Sequence, residues 1–199
     1  MIVALSGKLQ SGKDLTGSII QYLSITKPFP HLSFEDFRKF NIEGLWEVKR
    51  FAGKVKQIAS ILTGIPVADF EKIEVKNSKL GPEWNYMTVR ELLQKLGTDA
   101  IRDKLHLNAW VNALFSDYQP SYDWIITDMR FGNELCAVKE RGGITIRLTR
   151  NVPASFKIAN HISETALDHA SFDFVIENNG TVDDLILNVR DIMIKEKLI

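Results

Sequence analysis

One cysteine, Cys136, occurs in 199 residues, so no intramolecular disulfide framework holds the chain, and a reducing compartment suits it. Cys136 lies in an apolar helical pattern and reads as core rather than as a nucleophile. Surplus charge is also lacking, with 25 basic residues against 25 acidic ones. A chain without a basic excess is not built for wholesale polyanion binding, so nucleic acid is not an expected partner. No apolar run approaches the roughly 18 residues that a spanning helix requires. Residues 1–5 read as a strand, not as a secretion signal. No membrane partner is therefore expected, and the cytoplasm is the expected location. Repeats, low-complexity tracts and convincing linkers are absent too, and the length suits a single buried core.

What is present is a phosphate-binding pattern at the start. The apolar run Met1–Leu5 leads into Gly7-Lys8-Leu9-Gln10-Ser11-Gly12-Lys13. A buried strand thus breaks into a glycine-framed turn, and a lysine follows at the head of a helix. Bare glycine backbone lets several N–H groups converge on one anion, and Lys13 adds a point charge for the β- and γ-phosphates. Gly7, Lys8, Gln10, Ser11, Gly12, Lys13, Asp14 and Leu15 are the expected nucleotide-binding set. One position departs from the usual motif, which has Ser or Thr after the lysine to ligate Mg²⁺. Here it is Asp14. Asp14 either holds Mg²⁺ through water or braces the positive end of the helix dipole. Thr16 is no simple substitute, since two residues on is about 200° round the helix.

The rest of the chain alternates strands and helices. Helices are expected at Asp14–Ser24, 52–62, after the Thr88/Glu91 capping box, from Asn108, at Asn133–Arg141 and after Thr181. Strands are expected at Trp46–Phe51, Trp124–Asp128, Ile144–Leu148 and Phe174–Glu177. His31–Ile42 carries Phe34, Phe37 and Phe40 at helical spacing as core-facing aromatics, and 66–86 reads as an irregular surface excursion. Lys54 and Lys56 either meet a phosphate at a helix start or form a solvated basic face. The expected fold class is α/β, a P-loop three-layer α/β/α arrangement with a mostly parallel sheet. Asp128 ends a strand at the edge where such sheets bind ligands, placed to hold Mg²⁺ through water, with Arg130 beside it for a bidentate grip on phosphate. An Asp–Arg surface pair is the plainer alternative. Arg147 and Arg150 close the next strand, and a short basic segment at about 149–164 suits a lid that excludes water.

Several spaced blocks together resemble the bacteriophage deoxynucleoside monophosphate kinases. They are Gly7–Asp14, where the family also tends to carry Asp after the lysine, and Phe51-Ala52 with Lys56 nearby. The others are Thr88–Thr98, Asp128–Phe131 with Asn133-Glu134, and His161–Glu164. Animal-type phosphomevalonate kinases look similar at the loop, at Thr127–Arg130, at Ser163-Glu164 and at Ile176–Asn178. The resemblance implies the nucleoside monophosphate kinase variant of the P-loop fold, with a short lid, as one domain over 1–199. It implies a helical excursion at about 52–118 that binds the acceptor. It also implies an ATP- and Mg²⁺-dependent transfer of a γ-phosphoryl to a deoxynucleoside monophosphate, in the host cytoplasm if the protein is phage-encoded. In that scheme Lys13, Asp128, Arg130, Arg147 and Arg150 are catalytic, and Asp14 and Asp128 face the metal. Lys56, Arg90, Gln94, Thr98, Arg102, Arg130, His161 and Glu164 bind the acceptor, Arg90 and Arg102 being brought together by a helix break at Gly97-Thr98. The expected partners are the two small-molecule substrates, with a homodimer as an option. Phosphomevalonate as acceptor, or an ATP-binding module that no longer transfers phosphate, are the alternatives.

Overall fold

A computed structural model describes residues 1–151 and 165–199. The chain divides into two compact units, Met1–Lys49 with Gln119–Ile199, and Arg50–Tyr118.

Among the described residues the first unit holds a five-stranded sheet in the order β2-β3-β1-β4-β5. Its strands are β1 (Ile2–Gly7), β2 (Glu47–Lys49), β3 (Trp124–Ile126), β4 (Ile144–Thr149) and β5 (Phe174–Glu177). Every pairing is parallel, and parallel neighbours require crossovers, which the helices supply. β1 is central and buried along its whole length, as an apolar strand must be when both faces are covered. One face carries Val3, Leu5, Ile125, Ile146 and Leu148. They pack against Ile19, Ile20 and Leu23 of α1 (Lys13–Ile25) and Leu185, Val189 and Met193 of α8 (Val182–Lys195). Ile2 turns to the other face, where it and Val138 of α7 (Gly132–Glu140) both border Gly143. Helices thus lie on both sides of a parallel sheet, the three-layer arrangement expected. Each fully buried Leu or Ile contributes about 1.5–3 kcal/mol by leaving water.

The middle aromatics fall differently from expectation. Ser33 caps α2 (Phe34–Lys39) by accepting from the Asp36 N–H. Phe37 is buried and Phe34 packs on Tyr22, but Phe40 is 65% exposed because the helix has ended. Cys136 is exposed too. The inward face of α7 takes Glu134, Leu135, Ala137 and Val138, and 136 points away with 139 and 140.

In Arg50–Tyr118, α3 (Phe51–Thr63) starts one residue earlier than expected. Arg50 is extended as its cap and the preceding strand β2 is only three residues long. The alternation through Phe51 therefore crosses from strand into helix. The excursion at 66–86 is not irregular. It holds 3₁₀ turns at Val67–Glu71 and Pro82–Trp84 around α4 (Ile73–Asn77). Phe70, fully buried, packs with Ala59, Val89 and Leu92, which is what makes these short turns stable. The Thr88/Glu91 capping box opens α5 (Val89–Gln94) as expected. No break follows at Gly97-Thr98. The helix runs on with π spacing through Lys95–Leu105. Gly97 is a packing position whose carbonyl accepts from Trp110 Nε1 at 2.7 Å, anchoring α6 (Ala109–Phe115).

Candidate active site

The glycine-framed loop leaves β1 at the carboxyl edge of the sheet. The Ser11 N–H bonds the Lys8 carbonyl at 3.1 Å and tightens the turn. Gly7 is required by close approach, since a Cβ there would stand 2.6 Å from the Leu148 backbone oxygen. Gly12 is required by conformation, with φ of 101° just before α1. Lys13 Nζ folds back over the loop and donates to the carbonyls of Gly7 at 2.7 Å and Lys8 at 2.9 Å. Gln10 and Asp14 are exposed and Leu15 packs against the core. Thr16 is fully buried with its hydroxyl on the Gly12 carbonyl at 3.0 Å, so it offers nothing to a metal.

Ser11 enters the site through its backbone. Its side chain is 2% exposed, and its hydroxyl is buried without a hydrogen-bond partner among the described residues. A buried, unsatisfied hydroxyl costs about 1–3 kcal/mol. Ser11→Ala is therefore expected to melt no lower than the parent. A lowered melting temperature would show that the hydroxyl stabilises the loop.

A second set of residues surrounds the loop. Arg147 is a strand residue, in register with Ser6. Its guanidinium donates to the Ser6 hydroxyl at 2.9 Å and to Asp168 at 2.6 Å, over the Phe172 ring. Asp168 also pairs with Lys8 of the loop at 3.1 Å. Arg150 is exposed at the end of β4. On the other side of β1, Asp128 is half-buried two residues past the end of β3, where the Met129 N–H still bonds the Leu5 carbonyl at 3.2 Å. Asp128 thus sits beside the point at which β1 passes into the loop. Glu134 is 2% exposed, and its carboxylate accepts from the backbone N–H groups of Arg130 at 2.7 Å and Phe131 at 3.1 Å. That buried carboxylate fixes the turn which carries Arg130.

The remaining expected positions belong to Arg50–Tyr118. Lys56, nearly buried, bonds Glu71 at 2.5 Å, and Arg50 and Lys76 each stand 3.7 Å from the same carboxylate. Burial alone would raise the Glu71 carboxyl, but the Lys56 hydrogen bond and the charges of Lys56, Arg50 and Lys76 hold it below the usual 4.5. Burial and the like charges of Lys56 and Arg90 lower Lys76, with Glu71 opposing them. Lys54 pairs with Asp117 at 3.0 Å. Arg90 is exposed and donates to Asn77 Oδ1 at 3.1 Å. Gln94 is exposed, Thr98 half-buried, and Arg102 7% exposed. With no helix break between them, Arg90 and Arg102 are not brought together in the way the sequence suggested. His161, Glu164 and most of the expected lid lie outside the described residues. Asp168, Glu134 and Asn178 carry contacts to the loop or its neighbouring turn. The sequence assigns none of them a role, although Glu134 and Asn178 lie in blocks that carry the resemblance and Asp168 follows the expected lid.

Comparison with known proteins places the chain beside nucleotide kinases. The family model for deoxynucleotide monophosphate kinase matches residues 45–189. The deoxynucleotide monophosphate kinase of Enterobacteria phage T4 is 30% identical over 127 residues, 61% of this chain and 51% of the phage protein. That of Escherichia phage RB69 is 26% identical over 144 residues, 70% of this chain and 58% of its own. The chain thus spans little more than half the length of these two relatives. The crystal structure of shikimate kinase from Aquifex aeolicus covers 100% of the chain at a TM-score of 0.44 and 15% identity. Because the family match begins just before β2 and takes in the whole of Arg50–Tyr118, β3 and the Asp128–Arg130 turn, the chain belongs to the deoxynucleotide monophosphate kinase family.

Proposed function

We propose that the protein transfers the γ-phosphoryl of ATP to a deoxynucleoside 5′-monophosphate, giving ADP and the deoxynucleoside diphosphate. The observation that carries this reading is the Lys13 ammonium held over the Gly7–Gly12 loop at 2.7 and 2.9 Å from two loop carbonyls, in a chain of this family. An acceptor phosphate oxygen attacks the γ-phosphorus, the bond from that phosphorus to the β–γ bridging oxygen breaks, and the electron pair leaves on ADP. The acceptor is ionised near neutral pH, so no strong base is needed, and positioning and charge neutralisation supply the catalysis. Lys13 and the loop amides hold the ATP phosphates. The glycine frame lets the loop lie close against β4, since a Cβ at Gly7 would stand 2.6 Å from the Leu148 backbone oxygen.

Mg²⁺ in such sites is held by one or two carboxylates together with phosphate oxygens and water. Asp128 fits that role, with Asp14, exposed in the first turn of α1, as the second carboxylate. Phosphate oxygens and water would supply the ligands these carboxylates do not. Bound Mg²⁺ neutralises charge on the β- and γ-phosphates. Arg130 binds the acceptor phosphate, and Arg147 and Arg150 act on the transferring group. Lys56, Arg90, Gln94, Thr98 and Arg102 form the acceptor-recognition set of the helical unit, with His161 and Glu164 in a short lid at about 149–164. The chain works as one kinase domain in the cytoplasm, of the host if phage-encoded, with a homodimer as the proposed assembly. Among the described residues no helix is long and apolar enough to cross a membrane.

Coupled ADP release over a panel of acceptors tests this. Deoxynucleoside monophosphates should turn over well ahead of phosphomevalonate. Phosphomevalonate turning over faster than every nucleotide would leave a kinase of a different substrate class.

A further inference from the structure

Asn178 follows β5 and lies 167 residues from the loop it touches. Its backbone N–H bonds the Thr149 carbonyl at 2.8 Å, which extends the β4–β5 ladder by one residue and fixes where the side chain stands. The side chain is 8% exposed. Its Nδ2 donates to the Ser11 carbonyl at 2.9 Å. Because that partner is an acceptor only, the amide must present its NH₂ and not its oxygen. Asn178 also explains part of the glycine requirement, since a Cβ on Gly12 would stand 2.4 Å from Nδ2. The loop therefore rests directly on this amide.

The Ser11–Gly12 peptide is planar and trans, so the Ser11 C=O and the Gly12 N–H point in opposite directions. A carbonyl held outward on Asn178 turns the next N–H inward, away from the β5 side. Inward N–H groups are what a phosphate loop uses to bind its anion. Left to itself, a peptide beside a glycine at φ of 101° can rotate at little cost, because glycine tolerates both orientations. Asn178 removes that freedom before the ligand arrives, and pre-ordered donors bind more tightly than donors that must be ordered on binding.

We infer that Asn178 is a positioning residue of the triphosphate site, orienting the Gly12 amide toward the phosphates through the Ser11 carbonyl. The inference rests on the proposed ATP-binding role of the loop. It adds to that reading a residue from the far end of the sheet.

Equilibrium binding of MgATP to the full chain tests it, with Asn178→Ala and Asn178→Asp compared at a temperature where both are folded. Both variants should weaken MgATP by about ten- to a hundredfold, raise the KM for ATP, and leave the acceptor KM unmoved. A purely structural role would lower the melting temperature and leave MgATP affinity in the folded protein unchanged, which would overturn the inference. Weakening by Asp alone would also overturn it, since that pattern reports charge repulsion and not a lost donor. A measurement on the unaltered protein keeps the test independent of variant folding. With ¹⁵N-glycine labelling of the 12 glycines, the Gly12 amide should move strongly downfield on MgATP addition. No response at Gly12 while Gly7 responds would refute the orientation. If the unaltered protein fails to bind MgATP at all, the ATP-binding reading fails first.

Discussion

Lys13→Ala should lose phosphoryl transfer by at least about 10²–10³-fold at saturating ATP and acceptor, with little loss of fold. The ammonium donates to the carbonyls of Gly7 and Lys8, at a part-buried position outside the α1–α8 core cluster. Removing it leaves those carbonyls near the loop surface, where water can replace it. Stability should fall by no more than about 1–3 kcal/mol, the range for hydrogen bonds to charged groups. Catalysis has no such substitute. A charge contact to the transferring phosphoryl is worth about 3–4 kcal/mol in the transition state, and water supplies neither the charge nor the fixed position. Single-turnover and steady-state rates, set beside a thermal melt, separate the two effects. A folded variant retaining more than a tenth of the parent rate would remove Lys13 from the mechanism.

The loop was legible because its signal is local. Gly7, Gly12 and Lys13 are spaced by the turn itself, and an apolar run ahead of them names the strand. The same holds for the Thr88/Glu91 box, whose reciprocal bonds span three residues. Misreadings arose where tertiary packing overrode local pattern. The alternation through Trp46–Phe51 continued into a helix because Arg50 stays extended while Phe51 turns inward. The turns at 67–77 gave no periodic signal, and Phe70 buried against Ala59 and Val89 is what holds them. Gly97 looked like a breaker, yet the helix runs through it and its carbonyl binds Trp110. Cys136 was misassigned because a run of apolar neighbours says nothing of which of them faces inward. Asn178 and Glu134 show the same limit for the site. Asn178 reads as a turn residue until its amide is seen on Ser11, and Glu134 reads as a helix-start acid until its carboxylate is found buried beneath Arg130.

That buried carboxylate makes Arg130 the position where a conservative exchange should be most informative. The Glu134 oxygen holds the Arg130 N–H at 2.7 Å and the Phe131 N–H at 3.1 Å, so the backbone of residue 130 is fixed whatever side chain it carries. Arg130→Lys therefore keeps the charge, the fold and the anchor, and removes only the planar fork. A guanidinium grips a phosphate through two parallel N–H bonds, which an ammonium cannot reproduce. One charge-assisted hydrogen bond is worth about 1.5–3 kcal/mol, which corresponds to roughly ten- to a hundredfold in acceptor use. The expected result is a loss of that size in kcat/KM for the deoxynucleoside monophosphate, through a higher acceptor KM, a lower kcat or both. MgATP affinity, measured separately by equilibrium binding, should hardly move, because the loop and Lys13 carry it. Glu134→Gln is the companion variant. It keeps one acceptor oxygen but not the charge, and should give a milder loss in the same parameter. Should Arg130→Lys instead weaken MgATP and spare the acceptor, Arg130 would belong to the donor side of the site and the acceptor phosphate would need other cations.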